Sequence, residues 1–363
     1  MKEQAESAYR PGYEGNHMKA YIYDADKASL VAWLKQEQQP AYRADQILAW
    51  LNQGVQNPAE MTNLPKTLKI ALANAYDTQG LTLLQRQDSA EDGTSKYIFQ
   101  LTDGNIVESV FMIYKTGTSV CVSSQAGCQM GCRFCASTKA GFGRNLTAGE
   151  MLAQLALIGR DKACRIDKLV VMGIGEPFEN YDQLISFLNQ AKATDRLGIG
   201  ARHMTVSTCG LVPQMLQFAE DAPQVTLAVS LHAPNDRLRR QLMPVAQRWS
   251  IDELLGACRS YLENSNRRLT FEYALFKGVN DGAEQALELA RRISGLRCHV
   301  NLIPANPVPG TGLYPSTPDR IRAFQDILTQ HHIPCTVRRE LGRDITAACG
   351  QLRRRLEEHE QSH

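Results

Sequence analysis

The chain of 363 residues carries 40 Lys and Arg against 38 Asp and Glu, with 43% hydrophobic and 21% charged residues. That ordinary globular composition excludes disordered, collagen-like and coiled-coil proteins. No run approaches the roughly 18 apolar residues that span a bilayer, and the opening MKEQAESAYRPGYEGNHMKAY lacks the apolar segment of a signal peptide, so a cytoplasmic protein without membrane contact is expected.

Residues 1–20 are polar and broken by Pro11, Gly12 and Gly15, the pattern of a flexible tail. Over 21–78 a helical accessory unit is predicted, with Leu30, Val31 and Leu34 on one face and Ile47, Leu48 and Leu51 on another beyond Pro40. Residues 79–115 read as an antiparallel ribbon with turns at Asp92-Gly93 and Asp103-Gly104. From 116 to 340 the runs SVCVSS, DKLVVMG, RHMTVST, QVTLAVSL, RLTFEYAL, CHVNLIP and PCTVRRE alternate with helical stretches at 148–160, 181–193, 251–262, 283–293 and 318–330. Thr147 and Glu150 make a capping box for the first helix. The fold class is therefore α/β: a partial (β/α)6 barrel whose functional residues are expected at strand C-terminal ends. Residues 341–363 form a C-terminal segment.

In an enzyme-sized intracellular chain, ten cysteines suggest metal binding or catalysis rather than a disulfide framework. Cys164, Cys209, Cys258, Cys298 and Cys335 stand singly, mostly in apolar surroundings, and read as core packing. Cys128, Cys132 and Cys135 form C-x3-C-x2-C in CQMGCRFCAS, directly after the first barrel strand. Three soft thiolates on a short loop suit a [4Fe-4S] cluster with one open iron. A structural zinc site wants four ligands, and no fourth Cys or His stands at finger-like distance; zinc and a purely structural or electron-transfer cluster are the competing assignments.

The C-x3-C-x2-C spacing resembles that of the radical S-adenosylmethionine (SAM) superfamily, in which the open iron chelates SAM. The resemblance narrows over nearly the whole chain to the RlmN and Cfr group of RNA adenine methyltransferases. It rests on EMTNLP, DGNIVESV, CVSSQAGC, CRFCAST, RNLTAGE, GIGEP, STCGLVP, SLHAPND, NLIPANPVPG and DITAACGQL. EMTNLP and the helical unit before it resemble the RlmN branch; Ala305 departs from the group's pattern, which has an aromatic residue there. The resemblance implies methylation at carbon 2 of an adenosine in 23S ribosomal RNA, at the peptidyl-transferase centre, and of an adenosine in the transfer RNA anticodon loop. It also implies one cluster, two SAM molecules per turnover, an external one-electron donor such as flavodoxin or ferredoxin, and a monomer.

Carbon 2 lies between two ring nitrogens and is too electron-poor to attack the methyl of SAM directly, so a radical route is needed. By resemblance, Cys349 accepts the methyl, Cys121 releases the adduct through a transient disulfide with Cys349, and Glu108 accepts the proton from the adenine carbon. Gly175, Glu176, Ser207, Ser230, Leu231, His232 and Asn306 are the implied SAM contacts. Without the resemblance, Cys121 reads as a buried strand residue, Glu108 as an edge-strand carboxylate turned to water, and His232 as a satisfied turn residue. Arg237, Arg239, Arg240, Arg338, Arg339 and Arg343, with Lys66 and Lys69, are candidates for RNA phosphate contacts, though each cluster also reads as a solvated face. The rival functions are carbon-8 methylation of the Cfr type and a noncatalytic iron-sulfur RNA-binding or ribosome-assembly factor. The latter would have no need of both Cys121 and Cys349.

Overall fold

Alternating hydrophobic period decides the order of elements in the computed structural model, which describes residues 19–352 except 140, 307, 309, 348 and 349. Near the N-terminus, α1 (Lys27–Gln36), α2 (Arg43–Asn52) and α3 (Lys66–Ala75) bury Leu30, Leu34, Ile47, Leu48, Leu51, Leu68 and Leu72. Val31, expected on the same face as Leu30 and Leu34, is only partly buried. Strands β1 (Leu81–Asp88), β2 (Ser95–Leu101) and β3 (Ile106–Tyr114) pair antiparallel. Gly93 and Gly104 take φ of +75° and +83° in the expected turns, backbone angles that a side chain disfavours.

The ribbon does not stand apart from the barrel. β3 pairs antiparallel with β4 (Gly117–Val122), the first strand of the parallel region. A small hairpin, β5 (Gln125–Gly127) with β6 (Phe142–Asn145), then brackets the cysteine loop. Six crossovers follow: α4 (Ala148–Asp161), β7 (Lys168–Val171), α5 (Tyr181–Lys192), β8 (Met204–Thr208), α6 (Val212–Asp221), β9 (Thr226–Ser230), α7 (Asp236–Leu242), α8 (Ile251–Asn264), β10 (Leu269–Leu275), α9 (Ala283–Ile293), β11 (Cys298–Pro304), α10 (Pro318–Gln330) and β12 (Cys335–Val337). The sheet runs β1-β2-β3-β4-β7-β8-β9-β10-β11-β12, parallel from β4 onward. This is the expected six-unit partial barrel, with the ribbon extending one side of its sheet.

The sequence reading missed the β5–β6 hairpin, α6 and α7. Helix α7 is seven residues, DRLRRQL, with two buried leucines, too short to show a period. Helix α4, by contrast, is held by its first three N–H groups. Ala148 N–H donates to Gln183 Oε1 (2.9 Å), Gly149 N–H to Asp24 Oδ1 (2.6 Å) and Glu150 N–H to Thr147 Oγ1 (3.1 Å). The capping box is complete, Thr147 N–H donating to Glu150 Oε2 at 2.9 Å.

Gly149 thus joins the barrel to the accessory unit, and a Cβ there would lie 2.4 Å from the backbone nitrogen of Asp24. Gly149→Leu is expected to destabilise the protein by about 1–3 kcal/mol, the cost of overpacking. Thermal unfolding, with limited proteolysis around residue 24, checks the position of the loosening.

Candidate active site

Parallel strands end together, and their carboxyl ends open onto a cavity of about 180 Å³. β7 contributes Val171 and the turn through Met172, Gly173, Gly175 and Glu176; β8 contributes Ser207 and Thr208, and β9 Ser230 followed by His232. β10 places Glu272 and Ala274, and β11 Ile303 with Ala305 and Asn306 beyond its end. From the other side come Cys128, Cys132, Phe134 and Cys135 of the loop after β4. The placement predicted from the barrel rule is the one observed.

Burial governs the thiols. It pushes Cys128 up to about 12 and holds Cys132 well above the ordinary thiol range, with the neighbouring cysteines adding to both. Such thiols become thiolates only when a metal displaces their protons. Cys128, Cys132 and Cys135 share one cavity wall, and three soft thiolates on one short loop fit a [4Fe-4S] cluster, each on its own iron.

Glu176 shows how the rim is built. It is buried; its Oε1 accepts from Phe178 N–H (3.0 Å) and its Oε2 from Cys209 N–H (2.7 Å), while its own N–H donates to Gln125 Oε1 (2.8 Å). Burial raises its pKa, and the bond from Cys209 opposes that rise. Gly175 has φ +111°, and a Cβ there would strike Gln125 at 2.6 Å, so this close approach requires glycine. His232 is buried, its pKa pushed down by burial to about 3. Its Nδ1 accepts from Ala274 N–H at 2.9 Å, and its ring meets Phe134 edge-on at 4.7 Å. The ring is therefore neutral, with its proton assigned to Nε2.

Most of the expected residues come together here: Cys128, Cys132, Cys135, Gly175, Glu176, Ser207, Ser230, His232 and Asn306 all line the cavity. Leu231 does not, for its side chain lies in the core and its N–H donates to Glu272 O at 3.0 Å. Cys209, expected as core packing, is buried yet lines the cavity.

A second cavity of about 50 Å³ adjoins the first, sharing Met172, Ile303, Asn306, Arg338 and Leu352 with it. Cys121 lines it with Val110 and Met112 of β3. Val110 is the ladder partner of Cys121, so Glu108, two residues back, lies on the same face about 7 Å along the strand. Glu108 is 1% exposed on a strand flanked by β2 and β4, which removes the solvent-facing edge alternative. Cys349 lies outside the described residues; of its neighbours, Ala347 lines the second cavity and Gly350 the first.

Sequence reasoning missed Glu272, buried in the cavity wall with its Oε2 accepting from Asn301 Nδ2 (3.0 Å) and facing Arg338 Nη1 (3.5 Å). A carboxylate among the apolar residues of the strand FEYAL was the available signal. Among the candidate phosphate contacts, Arg237 and Arg240 are exposed, but Arg239 is completely buried. It faces inward because α7 turns its third residue after Asp236 toward the sheet, so it cannot meet RNA. Arg338 is partly engaged with Glu272, and Arg343 faces Glu340 at 3.8 Å.

Residues 122–290 match the Radical SAM superfamily, and residues 21–77 match the ribosomal RNA large subunit methyltransferase N-terminal domain. The chain is 49% identical over 314 residues to "Probable dual-specificity RNA methyltransferase RlmN" of Alkaliphilus metalliredigens, covering 86% of this chain and 89% of that protein. It is 45% identical to the protein of the same name from Clostridium tetani, covering 92% and 96%. The crystal structure of a radical SAM methyltransferase from Sphaerobacter thermophilus superposes with a TM-score of 0.89 at 45% identity, over 92% of this chain and 99% of that one.

Anaerobic reconstitution is expected to load about four irons per chain. Replacing Cys128, Cys132 or Cys135 singly with Ala should reduce loading to a small fraction and abolish SAM cleavage, as iron analysis and detection of 5'-deoxyadenosine would show.

Proposed function

The chain belongs to the RlmN family of radical SAM RNA methyltransferases, and on that premise we propose that it methylates carbon 2 of an adenosine in 23S ribosomal RNA and in transfer RNA through a methyl group carried on Cys349. The observation that carries this reading is the adjacency of two cavities, one bounded by the cysteine triplet and Gly350, the other by Cys121 and Ala347. Residues on both sides of position 349 thus face the two places that such a mechanism has to connect.

Cys128, Cys132 and Cys135 are the cluster ligands in this reading. Gly175, Glu176, Ser207, Ser230, His232 and Asn306 hold SAM, with Leu231 restricted to its carbonyl because its N–H is already bonded. Bound there, cluster and SAM supply one-electron chemistry able to remove a hydrogen atom from an unactivated methyl group. The chain's own groups perform the rest. Cys349 accepts a methyl by polar displacement, its sulfur forming the new bond as the sulfonium carbon–sulfur bond breaks. Once that methyl has lost a hydrogen and joined the adenine carbon, Glu108 takes the proton from that carbon. Cys121, as its thiolate, then bonds to the sulfur of Cys349, and the carbon–sulfur bond breaks with its electron pair on the former methylene carbon, which takes a proton to become the methyl group. The odd electron left by radical addition returns to the one-electron carrier of the site, and cellular thiols reduce the disulfide that remains.

The burial of Glu108 beside the ladder pair Val110–Cys121 supports its role, because a base aimed at one carbon has to be fixed and shielded from water. Arg339, lining the second cavity, and the exposed Arg237 and Arg240 supply positive charge for the RNA backbone. An adenine reaches the inner cavity only when unstacked, so single-stranded or splayed RNA is the bound form. We place the enzyme in the cytoplasm as a monomer, reduced by a flavodoxin or ferredoxin. No helix among the described residues is long and apolar enough to cross a membrane.

Cys121→Ala should accumulate protein covalently joined to RNA, a species that survives denaturation and disappears with nuclease, whereas Cys349→Ala should form none. Failure of Cys121→Ala to trap any adduct would sink the two-cysteine route. Glu108→Gln should slow turnover by roughly 10²-fold or more while leaving Cys349 methylated, which peptide mass spectrometry reads directly. Nucleoside analysis of the product separates carbon 2 from carbon 8.

A further inference from the structure

Arg239 is the largest fully buried side chain in the molecule as described, with 0% exposure. Its Nη2 donates to Cys209 O (2.6 Å) and Ser230 O (3.4 Å), at the ends of β8 and β9. Its Nε and Nη1 have no hydrogen-bond partner among the described residues. A guanidinium stays protonated at every physiological pH, and an isolated buried charge costs several kcal/mol. The acid nearest in sequence, Asp236, accepts from Ile251 N–H at 2.8 Å and makes no ion pair with Arg239.

The anion that Arg239 lacks is suggested by what α7 touches. Arg133, between two of the cysteines, donates its N–H to Leu242 O (3.0 Å) and its Nη1 to Gln241 O (3.3 Å), so the cysteine loop is bonded to the end of the helix that carries Arg239. Met243, next in the chain, lines the cavity beside Cys132. The two residues whose carbonyls Arg239 bonds, Cys209 and Ser230, line the same cavity as Cys132.

We propose that Arg239 is the fixed counter-cation of the iron-sulfur cluster, a positioning residue whose charge makes the cluster easier to reduce. The inference rests on the assignment of the cluster to Cys128, Cys132 and Cys135. Three thiolates leave such a cluster anionic, and one electron from an external one-electron carrier adds a further negative charge with no bond made or broken. In a low-dielectric interior a fixed positive charge favours the more negative state.

The test uses full-length wild type, Arg239→Met and Arg239→Lys, each reconstituted anaerobically. Iron content, a redox titration followed by electron paramagnetic resonance, and thermal unfolding with and without the cluster are measured. Arg239→Met should keep its iron but be about tenfold less reduced at a fixed potential, a midpoint lowered by about 59 mV for a one-electron couple. Arg239→Lys, which keeps the charge, should restore most of that loss. Without the cluster, Arg239→Met should unfold at or above the wild-type temperature, because an uncompensated buried charge has been removed; with it, below. An unchanged midpoint in fully loaded Arg239→Met would overturn the proposal. Equal destabilisation with and without the cluster, or failure of Arg239→Met to fold, would overturn it too, since the residue would then be a tie between β8 and β9 only. A wild-type protein that takes up no iron would instead refute the cluster assignment.

Discussion

A parallel sheet that stops leaves a row of N–H and C=O groups with no further strand to bond, and in this molecule buried side chains take their place. Glu176 joins the turn after β7 to Cys209 beyond β8, and Arg239 joins the ends of β8 and β9. Asn280 donates to both His232 O and Ala274 O at 2.7 Å and accepts from Phe276 N–H at 2.7 Å, closing the gap between β9 and β10. His232 itself accepts from Ala274. Most of these bonds lie where water is excluded, and losing a partner strands the other at a cost of about 1–3 kcal/mol, which for Arg239 is set against the cost of burying its charge. The cavity holds its shape because its rim is made of bonds that cannot be exchanged for solvent.

The same logic fixes the ribbon to the barrel. Gln154, buried on α4, accepts from Ser109 Oγ (2.7 Å) and Ser123 N–H (2.9 Å) and donates to Ser123 O (3.1 Å). Ser123 Oγ in turn donates to Glu108 O at 2.6 Å and accepts from Ile174 N–H at 2.9 Å. One glutamine and one serine therefore set β3, the end of β4 and the turn after β7 relative to one another. Glu108 and Cys121 are placed by this network, and α4 is placed by the accessory unit through Asp24. A residue at the N-terminal side of the chain thus bears on the geometry of a base in the barrel without touching it.

Electrostatics separate the two cavities in character. The larger is lined by groups whose charged forms burial opposes, the thiols of Cys128 and Cys132, the carboxyls of Glu176 and Glu272 and the ring of His232. In such a site burial weakens the charged forms, and an occupant of opposite charge strengthens them. The smaller cavity is walled by Val110, Met112, Met172, Leu341 and Leu352 around one thiol, with Arg338, Arg339 and Glu340 at its polar side. Cys121 thus lies between an apolar wall and a polar one, a mixed setting unlike that of the larger cavity.

Much of the fold was legible before any coordinate, because period and punctuation are local. The capping box at Thr147, the turns at Gly93 and Gly104, the barrel strands and the longer helices all follow from residues within a few positions of one another. So does the cysteine triplet, whose three soft thiolates on one loop suit an iron-sulfur cluster, although its spacing left zinc and a purely structural cluster as competing assignments. The direction in which Arg239 points was not legible, since three arginines on a seven-residue helix look alike until the sheet lies against one of them. Nor was the wall position of Cys209, or the pairing of Glu272 with Arg338 across the last strands. Leu231, between two residues that line the cavity, lies just beyond the end of β9 in a turn where His232 takes φ +55°, and its side chain packs into the core. The sequence by itself determined which groups are present and the local structure that carries them. Only the tertiary structure decided which are buried, and hence which charges lack solvent and have to find each other, because burial is a property of contacts between segments distant in the chain.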